Sequence, residues 1–237
     1  AFKWYKEAAE KGNNVAYMRI ARSYKCGIGI YKDQIEAFKW YEKAAKSGNI
    51  RGVFQCAECY YQGIGVEENK DKSYKLYKQV AEQGEPDACY MVGKCYHYGH
   101  GVEKNQNKAF EWILKSAEGN YLYGQSEAGY RYDVGMGVDQ DSHEAEKWYL
   151  LAAKGGNKWS QCNLGYLYES GALGKVDYEK AYKWYLRAAE NNSARGQRCL
   201  GVYYEYGMGV KKDYTQAAKW YRKAAENNDG RGQSFLG

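Results

Sequence analysis

Cys56, Cys59 and Cys95, with His97 and His100 close behind, are the residues whose types and spacing could hold a metal. A closed zinc site takes four ligands, usually as two short-spaced pairs, of which Cys56-X-X-Cys59 would be one. Cys56 also shares a 36-residue column with Ile20, Val92, Leu164 and Leu200, which makes it a packing position. Paired glycines such as Gly27-Ile28-Gly29 invite a phosphate-cradle reading. A cradle needs a preceding strand and a helix N-terminus aimed at the phosphates, whereas helical patterns flank these glycines on both sides. They read as helix C-caps followed by tight turns. No Ser-X-X-Lys or Gly-X-Ser-X-Gly tract sets a nucleophile beside a base, and Glu42, Glu58 and Glu169 fall at exposed helical positions. The expectation is a protein that is not an enzyme and has neither metal nor cofactor.

The elements that carry these residues repeat. Paired glycines begin at Gly27, Gly63, Gly99, Gly135, Gly171 and Gly207, and six residues after each comes Asp33, Asn69, Asn105, Asp141, Asp177 or Asp213. A fixed period of 36 residues means one supersecondary unit stacked on copies of itself, none of which can bury its apolar face alone. After Asp33, an N-cap residue, Ala37, Trp40, Tyr41, Ala44 and Ala45 recur at the spacing of one helical face. Gly48 ends that helix, Asn49 can cap the next, and Gly52, Cys56, Ala57 and Tyr60 form the core face of the second helix. Trp40, Trp148, Trp184 and Trp220 are expected to be mostly buried between layers. The chain reads as all-α, a curved solenoid without a sheet.

The Ala-X-X-Trp-Tyr-X-X-Ala-Ala-X-X-Gly helix, the Leu-Gly-X-X-Tyr helix and the Gly-X-Gly turn resemble the Sel1-like repeat family, relatives of the tetratricopeptide repeats. Residues 181–185 and 200–209 carry the likeness most clearly. Leu76 and Ile113 depart from the Trp and Tyr columns, and the fifth unit has its second glycine displaced to Gly174. The resemblance implies a right-handed superhelical solenoid of antiparallel helix pairs with a 36-residue repeat. It also implies a scaffold or adaptor that binds other proteins. By the frame of Ala1 against Ala37 and Gly237 against Gly201, residues 1–237 are expected to form one array, truncated within a repeat at both ends.

By the same resemblance the Leu-Gly-X-X-Tyr helices line a concave groove, and variable residues opposite their core face form a recognition surface. From the second unit come Arg51, Phe54 and Tyr61, and from the third Tyr90, Lys94 and His97. The fourth presents Tyr123, Tyr130 and Asp133, the fifth Trp159, Tyr166 and Glu169, and the sixth Arg195, Arg198 and Glu205. Tyr123, Tyr130, Trp159 and Tyr166 are expected to meet as one aromatic patch, the kind of surface that dominates interface energetics. A basic ligand segment is expected over the acidic Asp133, Glu169 and Glu205.

The expected function is a protein–protein interaction scaffold holding a peptide or partner helix in this groove. Two alternatives stay open: a regulatory or targeting module whose enzymatic or membrane domain lies elsewhere, and an architectural solenoid that uses its convex back. On that back Leu114, Leu150 and Leu186 form a column that could serve self-association. The net charge of +6 is spread over 35 basic and 29 acidic residues without a clustered basic stripe, so nucleic acid is not an expected partner. No membrane segment is visible. All seven cysteines lie on the Leu-Gly-X-X-Tyr helices, so no disulfide can staple a hairpin. An odd count of such thiols points to a cytoplasmic protein, while the truncated N-terminus keeps a secretory compartment open. All seven thiols should react with a thiol reagent after denaturation without reductant; recovery of five or fewer would reveal a disulfide and reverse the choice of compartment.

Overall fold

The computed structural model describes residues 1–227, which form thirteen α-helices and, among the described residues, no strand. Gly237 lies outside the described residues. Two compact units divide the chain, Ala1–Gly119 and Asn120–Gly237. The first holds α1 (Phe2–Glu10), α2 (Asn14–Cys26), α3 (Gln34–Lys46), α4 (Ile50–Gln62), α5 (Lys70–Ala81), α6 (Pro86–Tyr98) and α7 (Gln106–Glu118). The second holds α8 (Leu122–Val134), α9 (Ser142–Lys154), α10 (Lys158–Ser170), α11 (Tyr178–Glu190), α12 (Ala194–Tyr206) and α13 (Tyr214–Glu226). Within each unit every helix packs on the next as an antiparallel pair.

The signals that start and stop these helices are realised as hydrogen bonds. Asp33 accepts from the Ile35 and Glu36 amides, and Asn69, Asn105, Asp141, Asp177 and Asp213 cap their helices in the same way. Each of these six residues also donates its own amide to a tyrosine carbonyl nine residues earlier, as Asp33 does to Tyr24 and Asp213 to Tyr204, both at 2.9 Å. The cap is thereby fixed to the helix before it. The second glycine of a turn has a different task from the first. A Cβ on Gly65 would stand 2.0 Å from the Gln34 carbonyl oxygen, and one on Gly209 would stand 2.4 Å from that of Tyr178. The turns leaving α4, α6 and α12 thus lie against the first turn of the helix before them, backbone on backbone. That contact explains Gly-X-Gly without any phosphate.

The two neighbouring aromatic columns are buried to different depths. Tyr41, Tyr77, Tyr149, Tyr185 and Tyr221 are buried, with Ile113 taking the tyrosine place in α7. The preceding tryptophans Trp40, Trp112, Trp148, Trp184 and Trp220 are mostly buried, as expected, but less deeply than the tyrosines, and Trp4 is exposed. A position one residue earlier is rotated about 100° around the helix, which carries the indole from the core to its flank. There a cation one turn on lies over the ring: Lys43 over Trp40 at 4.0 Å, Lys115 over Trp112 at 4.3 Å and Lys223 over Trp220 at 4.4 Å. Leu76, the exception in this column, borders a cavity of about 330 Å³ with Ala45, Cys56 and Tyr60.

A second aromatic column joins the two helices of a hairpin. Phe2 meets Tyr24, Phe38 meets Tyr60, Tyr74 meets Tyr96 and Tyr182 meets Tyr204, all edge to face at 5.3–5.9 Å between ring centres. In the last two pairs the hydroxyls also share a hydrogen bond, at 2.9 and 2.8 Å.

Burial ranks the two columns. Tyr185→Ala should cost about 3–5 kcal/mol as a large-to-small core change, and Trp184→Ala about half of that because its ring is already part-solvated. Urea denaturation followed by circular dichroism measures both, and equal costs would contradict the assignment of tyrosine as the core ring.

Candidate functional site

The even-numbered helices expose the variable columns, and each unit presents its own face. In the first unit Val15, Met18, Arg22 and Lys25 of α2 and Arg51, Phe54 and Gln55 of α4 line a trough of about 610 Å³, with Asp87 of α6 at its edge. Arg51 forms a close ion pair with Asp87 and lies 5.8 Å from the Phe54 ring centre. Phe54 in turn meets the buried Tyr77 edge to face at 5.5 Å, so its base is core and its outer surface is trough. Tyr90 and Lys94 of α6 stack on each other, with the ammonium 5.7 Å from the ring centre.

Tyr61 and His97 are committed within the fold. The Tyr61 hydroxyl lies 3.0 Å from His100 Nδ1, Lys70 sits 4.0 Å above its ring, and Lys70 also donates to the Tyr61 carbonyl. His97 Nδ1 is 2.8 Å from Gln106 Oε1, and that side chain donates back to the His97 carbonyl. Both residues join α4 and α6 to the elements that follow them, and neither is presented to a ligand as a lone side chain.

In the second unit Tyr123, Trp159 and Tyr166 are exposed, by 56%, 40% and 51% of their surface, and Tyr130 is half-buried. Tyr130 and Trp159 meet edge to face at 5.4 Å. Trp159 also reaches Tyr149 at 5.9 Å, and Tyr123 pairs with Tyr121 at 5.5 Å. The aromatic surface therefore centres on the Tyr130–Trp159 contact, with its other rings around it. Between these rings Ser126 and Cys162 are buried, bonded to Ser160 and Ser193 on the neighbouring even helix or the turn before it.

The carboxylates of this face have a task that spacing alone had not revealed. Tyr149 donates to Asp133 at 3.3 Å, Tyr185 to Glu169 at 2.6 Å and Tyr221 to Glu205 at 2.6 Å, each across sixteen residues. Glu58 of the first unit accepts from Tyr77 in the same manner, one turn earlier on its helix. Burial, with the nearby carboxylate, pushes these hydroxyls far above the usual tyrosine range, so they stay donors. Burial also raises the Asp133 carboxyl. Each of these acids is half-buried and already accepts from a core tyrosine. Asn163 extends the network by donating to the Tyr149 hydroxyl at 3.0 Å and accepting from Arg195 at 2.8 Å. Arg198, one turn on, is half-buried.

Leu114, Leu150 and Leu186 are half-buried, and the last two pack on the core of the second unit. They serve as core flank more than as an exposed stripe. Six of the seven thiols are raised by burial, which favours their protonated form. Burial pushes Cys56, Cys95 and Cys199 up to about 12 and Cys59 up to about 11, while Cys26 is exposed. Among the described residues no group of three His, Cys, Asp or Glu side chains is placed to hold a metal, and no helix is long and apolar enough to cross a membrane.

No curated protein matches this chain. Among solved structures it is similar to a protective antigen present in uropathogenic Escherichia coli strains that displays an SLR fold, at 32% identity and a TM-score of 0.93. The match takes in 100% of this chain and 50% of that one, so the chain spans about half the antigen's length. A Sel1 repeat protein from Oxalobacter formigenes matches at 35% identity and a TM-score of 0.82, over 90% of this chain and 88% of the other. An immunity protein from Pseudomonas aeruginosa, at 18% identity and a TM-score of 0.57 over 92% and 82% of the two chains, shares the fold alone. The Sel1 repeat model matches residues 1–13, 14–49, 51–85, 86–121, 122–157, 160–193 and 194–229. With that match repeated along its length, the chain belongs to the Sel1 repeat family.

Proposed function

We propose that this chain is an interaction scaffold that holds a peptide or a partner helix against the exposed faces of its even-numbered helices. Sel1 repeat proteins are in general protein-interaction scaffolds, and their fold is typically non-catalytic. The observation that carries the finer reading is the aromatic surface of the second unit, where Trp159 is 40% exposed beside Tyr130 while Tyr123 and Tyr166 are more exposed still. Rings held by their neighbours lose little freedom on binding and bury much area, which is how interface hot spots work. Arg195, held by Asn163, sets a positioned cation on the next even helix.

A second reading has the array regulate or target an activity carried elsewhere on a longer protein, as the half-length match to the antigen allows. Co-purification with a catalytic or membrane segment encoded in the same reading frame would favour it.

On the scaffold reading, Trp159→Ala and Tyr166→Ala should each weaken a partner captured from the native source by about 2 kcal/mol, roughly 30-fold in Kd, and leave the melting temperature nearly unchanged. Titration calorimetry beside thermal melting makes the comparison. If melting falls and affinity holds, the Tyr149 contact is what Trp159 is for, and the assignment of this face as the binding surface fails.

A further inference from the structure

The trough of the first unit combines an apolar floor with cations that its own fold leaves unmatched. Val15 and Met18 on α2 and Phe54 on α4 supply the floor, and the buried Tyr41 closes it from beneath. Along α2, Arg19, Arg22 and Lys25 succeed one another at three-residue spacing, which keeps neighbouring side chains together on one side of a helix. All three are exposed. Lys25 reaches the neutral Gln55 at 3.5 Å, and no carboxylate among the described residues pairs with Arg19 or Arg22.

The acids that could have balanced them are engaged. Asp87, the one carboxylate lining the trough, is paired with Arg51. Glu58, on the same face of α4, holds the Tyr77 hydroxyl. A concave, partly apolar surface rimmed by one sign of charge concentrates ligands of the other sign and fixes their orientation.

We propose that the α2–α4 trough binds an acidic peptide segment, one apolar side chain seated between Met18 and Phe54 and Asp or Glu side chains facing Arg19, Arg22 and Lys25. This deepens the scaffold reading and rests on it. A peptide fits better than a nucleic acid because Phe54 is the one part-exposed ring lining the floor, Tyr41 being buried, whereas stacked bases need successive aromatic platforms. The cations also stay on one helix instead of tracking a backbone.

The test uses a phage-displayed library of random short peptides selected on the intact chain. Wild-type protein should enrich sequences that combine Leu, Ile or Phe with Asp and Glu. Synthetic copies should bind at least about tenfold more weakly to the Arg19→Glu, Arg22→Glu double variant, and more weakly with rising salt. Both positions are exposed, and an unchanged circular dichroism spectrum verifies the fold. Met18→Ala should weaken the same peptides. Enrichment of basic or neutral peptides that depend on Met18 but not on the arginines would overturn the acidic specificity and leave the scaffold reading standing. If no enriched peptide depends on either residue, the trough is not a binding site. Displacement of the acidic peptides by a random single-stranded oligonucleotide at equal concentration would assign the cations to nucleic acid instead.

Discussion

A tyrosine ring lying on bare backbone sets the distance between paired helices in the second unit. Gly129, Gly165 and Gly201 receive Tyr149, Tyr185 and Tyr221 so closely that a Cβ there would stand 2.6, 2.6 and 2.3 Å from ring carbons. Gly93 receives Ile113 in the same manner, and the buried Ala21 and Ala57 occupy that column in the earlier repeats. Close packing of this kind leaves no slack for volume to be added on one side alone. Once the ring is seated, its hydroxyl must emerge beyond the glycine helix, and a buried hydroxyl needs a partner. Asp133, Glu169 and Glu205 stand where it emerges. One contact thus fixes helix spacing, tyrosine identity and the place of a carboxylate on the opposite surface.

The same geometry divides each even-numbered helix into strips with different tasks. The core strip carries small residues and Leu, the hairpin strip carries the tyrosines that meet Phe2, Phe38, Tyr74 and Tyr182, and the remaining strip is free to vary. On the odd-numbered helices the indoles occupy the flank, where lysine stems and ammonium groups cover what the neighbouring layer does not. Apolar surface is shielded on that side by chemistry internal to one helix. On the variable strip it is left uncovered, in the second unit by Tyr123, Trp159 and Tyr166.

Much of this was legible in the sequence because a strict period samples each position six times. The caps at Asp33 and its equivalents, the αL glycines and the pairing of helices all follow from local rules repeated in register. Which of Trp184 and Tyr185 lies deeper was harder to read, because the two stand side by side and both are large. The ring one residue on proved to be the one that points inward. The tyrosine–carboxylate bonds span sixteen residues and leave no mark on helical periodicity, although an acid sixteen residues before a column tyrosine, three repeats running, was a signal that could have been counted. The commitment of Tyr61 comes from His100, which no other repeat carries at that position, and that of His97 from its pairing with Gln106, whose column Gln34 shares.

The carboxylates shared between surface and core have a consequence for how such an array can acquire new partners. Replacing Glu169 or Glu205 changes the charge a ligand meets, and it also strands a buried tyrosine hydroxyl. Tyr166 and Arg22 can be exchanged with less effect on the layer beneath, since both are exposed. Mutational drift should therefore be fast at the second kind of position and slow at the first. New specificities would spread along the helix faces as a mosaic, with fixed acids between changing neighbours.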